Sequence, residues 1–137
     1  MLRRASQQRK YLESQGLLKT MHSTSLADLA LRLREFVAAR DWDQFHTPKN
    51  LATALVAEAG ELAAEFQWLT PAQSCAPTEE QLARIRAESA DVLIYLVRLA
   101  DKLGFDLLTA TDAKLAANEQ RYPADKVRGS AKKYNQY

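Results

Sequence analysis

Apolar residues recur every three or four positions in four stretches of this chain, and polar residues fill the positions between them. Leu26, Leu29, Leu33 and Phe36 mark the first stretch, with Arg32, Arg34 and Glu35 on its wet side, so a helix is predicted from about Ser25 to Arg40. Ser25-x-x-Asp28 supplies a capping pair at its start. Leu51, Leu55, Val56, Ala59, Leu62 and Phe66 predict a second helix to about Gln67, with Thr47 as N-cap and Pro48 in the first turn. Leu82, Ile85, Val92, Leu93, Leu96, Ala100 and Leu103 form the stripe of a third, opened by the box Thr78-x-x-Gln81 and stopped by Gly104. Asp106 caps a fourth, which runs past Leu107, Leu108, Leu115 and Asn118 to Pro123. An aromatic loop, Asp41 to His46, joins the first two helices, and Leu69 to Pro77 is the longest connection, broken by Pro71 and Pro77. With no convincing strand and no repeat, the pattern predicts an all-α, four-helix bundle-like fold.

Composition agrees. Of 137 residues, 47% are hydrophobic and 26% charged, with four Gly and four Pro, which suits one soluble helical domain. A net charge of +2 is too small to argue for nucleic acid. No apolar run approaches the roughly 18 residues of a membrane span. The single cysteine, Cys75, excludes an internal disulfide framework and fits a reducing, cytoplasmic setting. Residues 1–22 read as a flexible N-terminal extension, 23–123 as the helical domain and 124–137 as a basic C-terminal tail. The Arg-rich, Ser-containing start has some character of an organelle transit peptide, but an extension upstream of a start at Met21 is the plainer reading.

The acids change the picture. Glu58 and Glu61 on the second predicted helix, and Glu88 and Asp91 on the third, are i, i+3 pairs, each on one helix face. Glu58 falls between Leu55 and Leu62, inside the apolar stripe. A carboxylate there loses hydration, at a cost of several kcal/mol (roughly) unless a cation or strong donors replace the water. No Lys or Arg occurs from Leu51 to Ala83. If the two helices pack antiparallel, four carboxylates converge. An oxygen-only set of this kind suits Mg²⁺, with Mn²⁺ as substitute, rather than Zn²⁺. Mg²⁺ shares its water shell with substrate phosphates, so phosphate chemistry is expected. A di-iron bundle would need Glu-x-x-His pairs, and neither His22 nor His46 follows a Glu by three.

Trp42, Phe45 and His46 precede the second helix, Trp68 follows it, and Tyr95 lies one turn beyond Asp91. Such rings either stack on a nucleobase or seal the end of the bundle. Lys49 adjoins the group. On the fourth helix Lys114, Asn118 and Arg121 share a face, either as a wet edge or as donors to outer phosphates. Lys126, Arg128, Lys132 and Lys133 would join them or remain a solvated tail.

Glu58-Ala-Gly-Glu61 and Glu88-Ser-Ala-Asp91 resemble the Glu-x-x-Glu and Glu-x-x-Asp signature of the all-α nucleoside triphosphate pyrophosphatases, the MazG-like superfamily. Arg40-Asp41-Trp42-Asp43-Gln44-Phe45-His46, Pro48-Lys49-Asn50-Leu51 and Glu65-Phe66-Gln67-Trp68 resemble its dCTP pyrophosphatase branch. So do Asp91 to Leu96 and Asn118-x-x-Arg121-Tyr122-Pro123. The resemblance implies cleavage of a nucleoside triphosphate, dCTP or a modified pyrimidine nucleotide, to the monophosphate and pyrophosphate. It implies metal ligation by Glu58, Glu61, Glu88 and Asp91, with Glu61 orienting or deprotonating the attacking water. It also implies a homo-oligomer, dimer or tetramer, in which Trp68 reaches a neighbouring subunit's nucleotide. No nucleic-acid or membrane partner is expected. Broad MazG-type activity on several triphosphates, and a non-catalytic helical interaction module, are the competing readings.

Overall fold

The computed structural model describes residues 23–133 and 136, so the whole of the N-terminal extension, residues 1–22, and residues 134, 135 and 137 of the basic tail lie outside the described residues. Among them the fold is helical: α1 (Leu26–Ala38), a 3-10 turn (Asp43–Phe45), α2 (Pro48–Ala64), α3 (Pro71–Ser74), α4 (Glu79–Leu103), α5 (Leu107–Arg121) and α6 (Ala124–Val127). The local signals explain the boundaries. Ser25 Oγ accepts from Asp28 N at 3.1 Å, while the Asp28 carboxylate turns back to accept from Thr24. Thr47 caps α2 with Pro48 in its first turn, and Thr78 and Gln81 close a full capping box on α4. Gly104 ends α4 in the left-handed region at φ 72°, where a residue without Cβ carries no steric penalty.

Two expectations are corrected, and one is filled in. α2 stops at Ala64, and the residues to Trp68 continue only as turns. The connection from Leu69 to Pro77 contains α3, because Thr70 and Gln73 form a second capping box ahead of Pro71. The basic tail begins with the single turn of α6.

The central packing is α2 against α4, with α1 laid on α4. The contacts fix the direction: Glu65, at the end of α2, meets Arg84 near the start of α4, whereas Glu58 in mid-α2 is within reach of Glu88 and Asp91. The two helices are therefore antiparallel. Leu51 at 1% exposure, Val37, Val97 and Ala100 are the buried apolar residues. Fully burying a leucine contributes about 1.5–3 kcal/mol. Val56 is 72% exposed and does not belong to the packed stripe. It lies 100° around the helix from Leu55, and the face that packs instead runs through Ala54, Leu55, Glu58 and Leu62. α5 packs far less on its neighbours, and Leu108 and Leu115 on it are exposed.

Candidate functional site

Glu58 occupies the packed face of α2, and Glu88 and Asp91 occupy the packed face of α4, all three half-buried. One carboxylate oxygen from each lies within 4.8 Å of the others. The Glu58 carboxyl is pushed above its ordinary pKa, first by burial and then by the negative charges of Glu61, Asp91 and Glu88. Like charges held together in reduced solvent favour a proton or a cation. The donor set is hard, anionic and oxygen-only, so a divalent metal of the Mg²⁺ or Mn²⁺ type fits it.

Asp91 also lines a cavity of about 410 Å³ between α1 and α4. α1 contributes Leu29, Arg32, Leu33, Phe36 and Val37; the connection contributes Trp42 and His46; α4 adds Ile94, Tyr95 and Arg98. The half-exposed apolar face of α1 is thus the wall of a pocket. Phe36 and Trp42 meet edge to face at 5.9 Å, and the Arg40 guanidinium lies 3.6 Å from the Phe36 ring centre. Such contacts favour this arrangement of the rings, by about 0.5–1 kcal/mol each.

The connection that presents Trp42 and His46 is tied down at several points. Asp41 takes φ 54°, a left-handed conformation that Asp tolerates better than most residues, and its carbonyl and carboxylate accept from Gln44 Nε2. Asn50 Nδ2 donates to the Phe45 carbonyl at 2.9 Å. Burial, then the nearby Arg98 charge, lowers the His46 pKa from 6.5, so the ring is neutral at pH 7. Its Nδ1 is buried with no partner among the described residues.

A family model, the MazG-like family, matches residues 54–136, the segment that carries both acidic pairs. The chain belongs to the MazG-like family. dCTP pyrophosphatase 1 of Mus musculus is 48% identical over 113 residues, covering 80% of this chain and 66% of that protein. dCTP pyrophosphatase 1 of Homo sapiens is 46% identical over 116 residues, covering 82% and 67%. This MazG-like chain spans about two thirds of the length of these curated relatives. The crystal structure of a pyrophosphatase from Archaeoglobus fulgidus DSM 4304 superposes with TM-score 0.69 at 36% identity, over 75% of this chain and 96% of that one.

In this MazG-like fold the expected site residues divide into two groups. Glu58, Glu88, Asp91, Trp42, His46 and Tyr95 come together around the α2–α4 seam and its adjoining cavity. Glu61 is exposed, beside the tight set but outside it. Lys49 is exposed on the first turn of α2 and does not line the cavity. Trp68 is 86% exposed, beyond the end of α2. Lys114, Asn118 and Arg121 lie along α5, away from the cavity wall. Phe36 and Arg98 line the cavity, yet sequence reasoning placed Phe36 in the core and passed over Arg98. The signal for Arg98 was its spacing: 91, 95 and 98 fall on one helix face.

Proposed function

We propose that this chain is a Mg²⁺-dependent nucleoside triphosphate pyrophosphohydrolase acting on dCTP or a modified pyrimidine deoxynucleotide, releasing the monophosphate and pyrophosphate. The observation that carries the reading is Asp91, which belongs to both the carboxylate cluster and the ring-lined cavity. A polyphosphate held at the cluster therefore has its base directed toward Trp42, His46 and Tyr95. Identity at nearly half of the aligned positions with dCTP pyrophosphatase 1 supports the choice of substrate.

Glu58, Glu88 and Asp91 would hold the metal. Mg²⁺, when bound, neutralises phosphate charge and lowers the pKa of a coordinated water. Glu61, exposed and one turn along, is free of the tight set and is assigned to orient or deprotonate the attacking water. The water oxygen forms the new P–O bond, the bridging α–β P–O bond breaks, and pyrophosphate and the nucleoside monophosphate separate. Trp42 and Tyr95 offer ring surface to the base. Neutral His46 offers one donor and one acceptor.

We further assign the working form to a homo-oligomer, dimer or tetramer, in a cytoplasmic setting. Leu103, Phe105, Leu108 and Leu115 lie exposed along the end of α4 and along α5, and a run of large apolar side chains of this kind fits a subunit contact. In that assembly Lys114, Asn118 and Arg121 would supply phosphate donors, and Trp68 would reach a neighbouring nucleotide. Among the described residues no helix is long and apolar enough to cross a membrane.

The test is pyrophosphate release from a panel of triphosphates with and without Mg²⁺. Turnover of dCTP and its 5-substituted analogues, but not purine nucleotides, is expected. Equal turnover of many triphosphates supports the broad MazG-type reading. No turnover with any metal, in folded protein, supports an interaction module.

A further inference from the structure

Beside the nucleotide cavity lies a second, more open hollow of about 370 Å³, lined by Arg34, Asp43, Arg98, Asp101 and Lys102 together with Val37 and Ala38. Its charges answer one another. Arg98, 6% exposed, donates Nη1 to Asp101 at 2.6 Å and Nη2 to Asp43. Lys102 Nζ donates to both Asp43 oxygens at 2.9 and 2.8 Å. Arg34 Nε reaches the Asp101 carboxylate at 2.8 Å from α1. A hollow whose five charged groups are mutually paired has little left for a ligand and is better read as a fastening.

What it fastens is the 3-10 turn. Asp43 is the first residue of that turn, Trp42 precedes it and His46 follows it. α4 presents Asp91, Tyr95 and Arg98 along one face. From the metal-ligating Asp91 to Arg98 is seven residues, or about 10 Å of helix rise. The helix thus acts as a ruler, with the carboxylate cluster at one mark and the anchor of the ring-bearing turn at the other.

We propose that Asp43, gripped by Arg98 and Lys102, is a positioning residue for the nucleotide site: it sets the distance between the aromatic wall and the metal-ligating carboxylates. The proposal deepens the function given above and rests on it for its kinetic consequence, but not for its structural one. Asp43 is exposed, so replacing it leaves the packed core intact, whereas Arg98 is buried and its loss would confuse positioning with folding.

Asp43→Ala and Asp43→Glu are compared with the wild type and with Arg84→Gln, which removes an ion pair elsewhere, between α4 and Glu65. For Asp43→Ala the KM for dCTP is expected to rise about tenfold with kcat within about twofold, since base contacts act alike on ground and transition states. Inhibition by inorganic pyrophosphate, which engages only the metal half, stays unchanged. Asp43→Glu recovers most of the affinity, and Arg84→Gln leaves KM alone. Separately, in a Trp68→Phe background Trp42 is the sole tryptophan. Asp43→Ala there is expected to make it more accessible to acrylamide quenching in nucleotide-free protein. An unchanged KM, or parallel changes in KM and pyrophosphate inhibition, overturns the proposal. If wild-type protein turns over no triphosphate, the assigned function fails, and unchanged quenching in the nucleotide-free protein still decides against the clamp.

Discussion

α4 carries two charged clusters about two turns apart, and they follow opposite rules. At its middle, Glu88 and Asp91 face Glu58, and the charges acting on Glu58 are all negative. Toward its end, Arg98, Asp101 and Lys102 interleave with Arg34 and Asp43, and opposite signs meet throughout. The second cluster pairs its opposite charges by folding alone, with only Arg98 Nε left without an acceptor among the described residues. The first keeps a repulsion that folding does not relieve and that a bound cation would. In a helix where the chain shows it can pair its charges, an unpaired set argues for a ligand.

Breaking each cluster should therefore give opposite results. Glu58→Gln is expected to lower pyrophosphohydrolase activity by at least two orders of magnitude (roughly), because it removes metal charge and a ligand together. The same variant in chelator should melt no lower than wild type, since one repelling charge is gone. Steady-state rates and thermal melts check both. Arg98→Met should do the reverse to the fold, destabilising it by on the order of 2 kcal/mol, because the Asp101 carboxylate loses a partner in a nearly buried position. A denaturant titration measures that loss, and an unchanged midpoint would place the Arg98 pairs among contacts without energetic weight.

The contrast also marks how far the sequence could be read. The caps at Thr47, Thr78 and Asp106, the stop at Gly104 and the helical face of Glu58 were legible because each depends on residues within one or two turns. The meeting of Glu58 with Glu88 and Asp91 followed from assuming an antiparallel pair. The Asp43–Arg98 pairing spans 55 positions and leaves no local trace. α3 is hard to read although Thr70-x-x-Gln73 repeats the box of Thr78-x-x-Gln81, because a proline such as Pro71 marks either a break or a first-turn position. Val56 joins the stripe on hydrophobicity alone, whereas its angular position exposes it.

Smaller effects sharpen the comparison at the ring-lined end. Trp68→Ala should raise KM several-fold while changing kcat less, because its ring would hold the base equally in ground and transition states across a subunit contact. An unchanged KM removes Trp68 from the base site. His46 should contribute a modest pH dependence. Its pKa is lowered in the folded chain by burial and by Arg98, so the unfolded chain takes up the proton first as pH falls. The stability it confers is whole above about pH 6.5, the ordinary histidine value, and is lost as pH drops through that value toward the lowered one. His46→Gln should flatten this part of a stability–pH profile, and an identical slope in the variant would contradict the assignment.

The most direct test of the carboxylate cluster is Mn²⁺ binding to metal-stripped protein, followed by electron paramagnetic resonance without nucleotide. Wild-type protein should bind the ion saturably, and Glu58→Gln and Asp91→Asn should each weaken binding by tenfold or more. Equal binding by all three proteins would contradict the account.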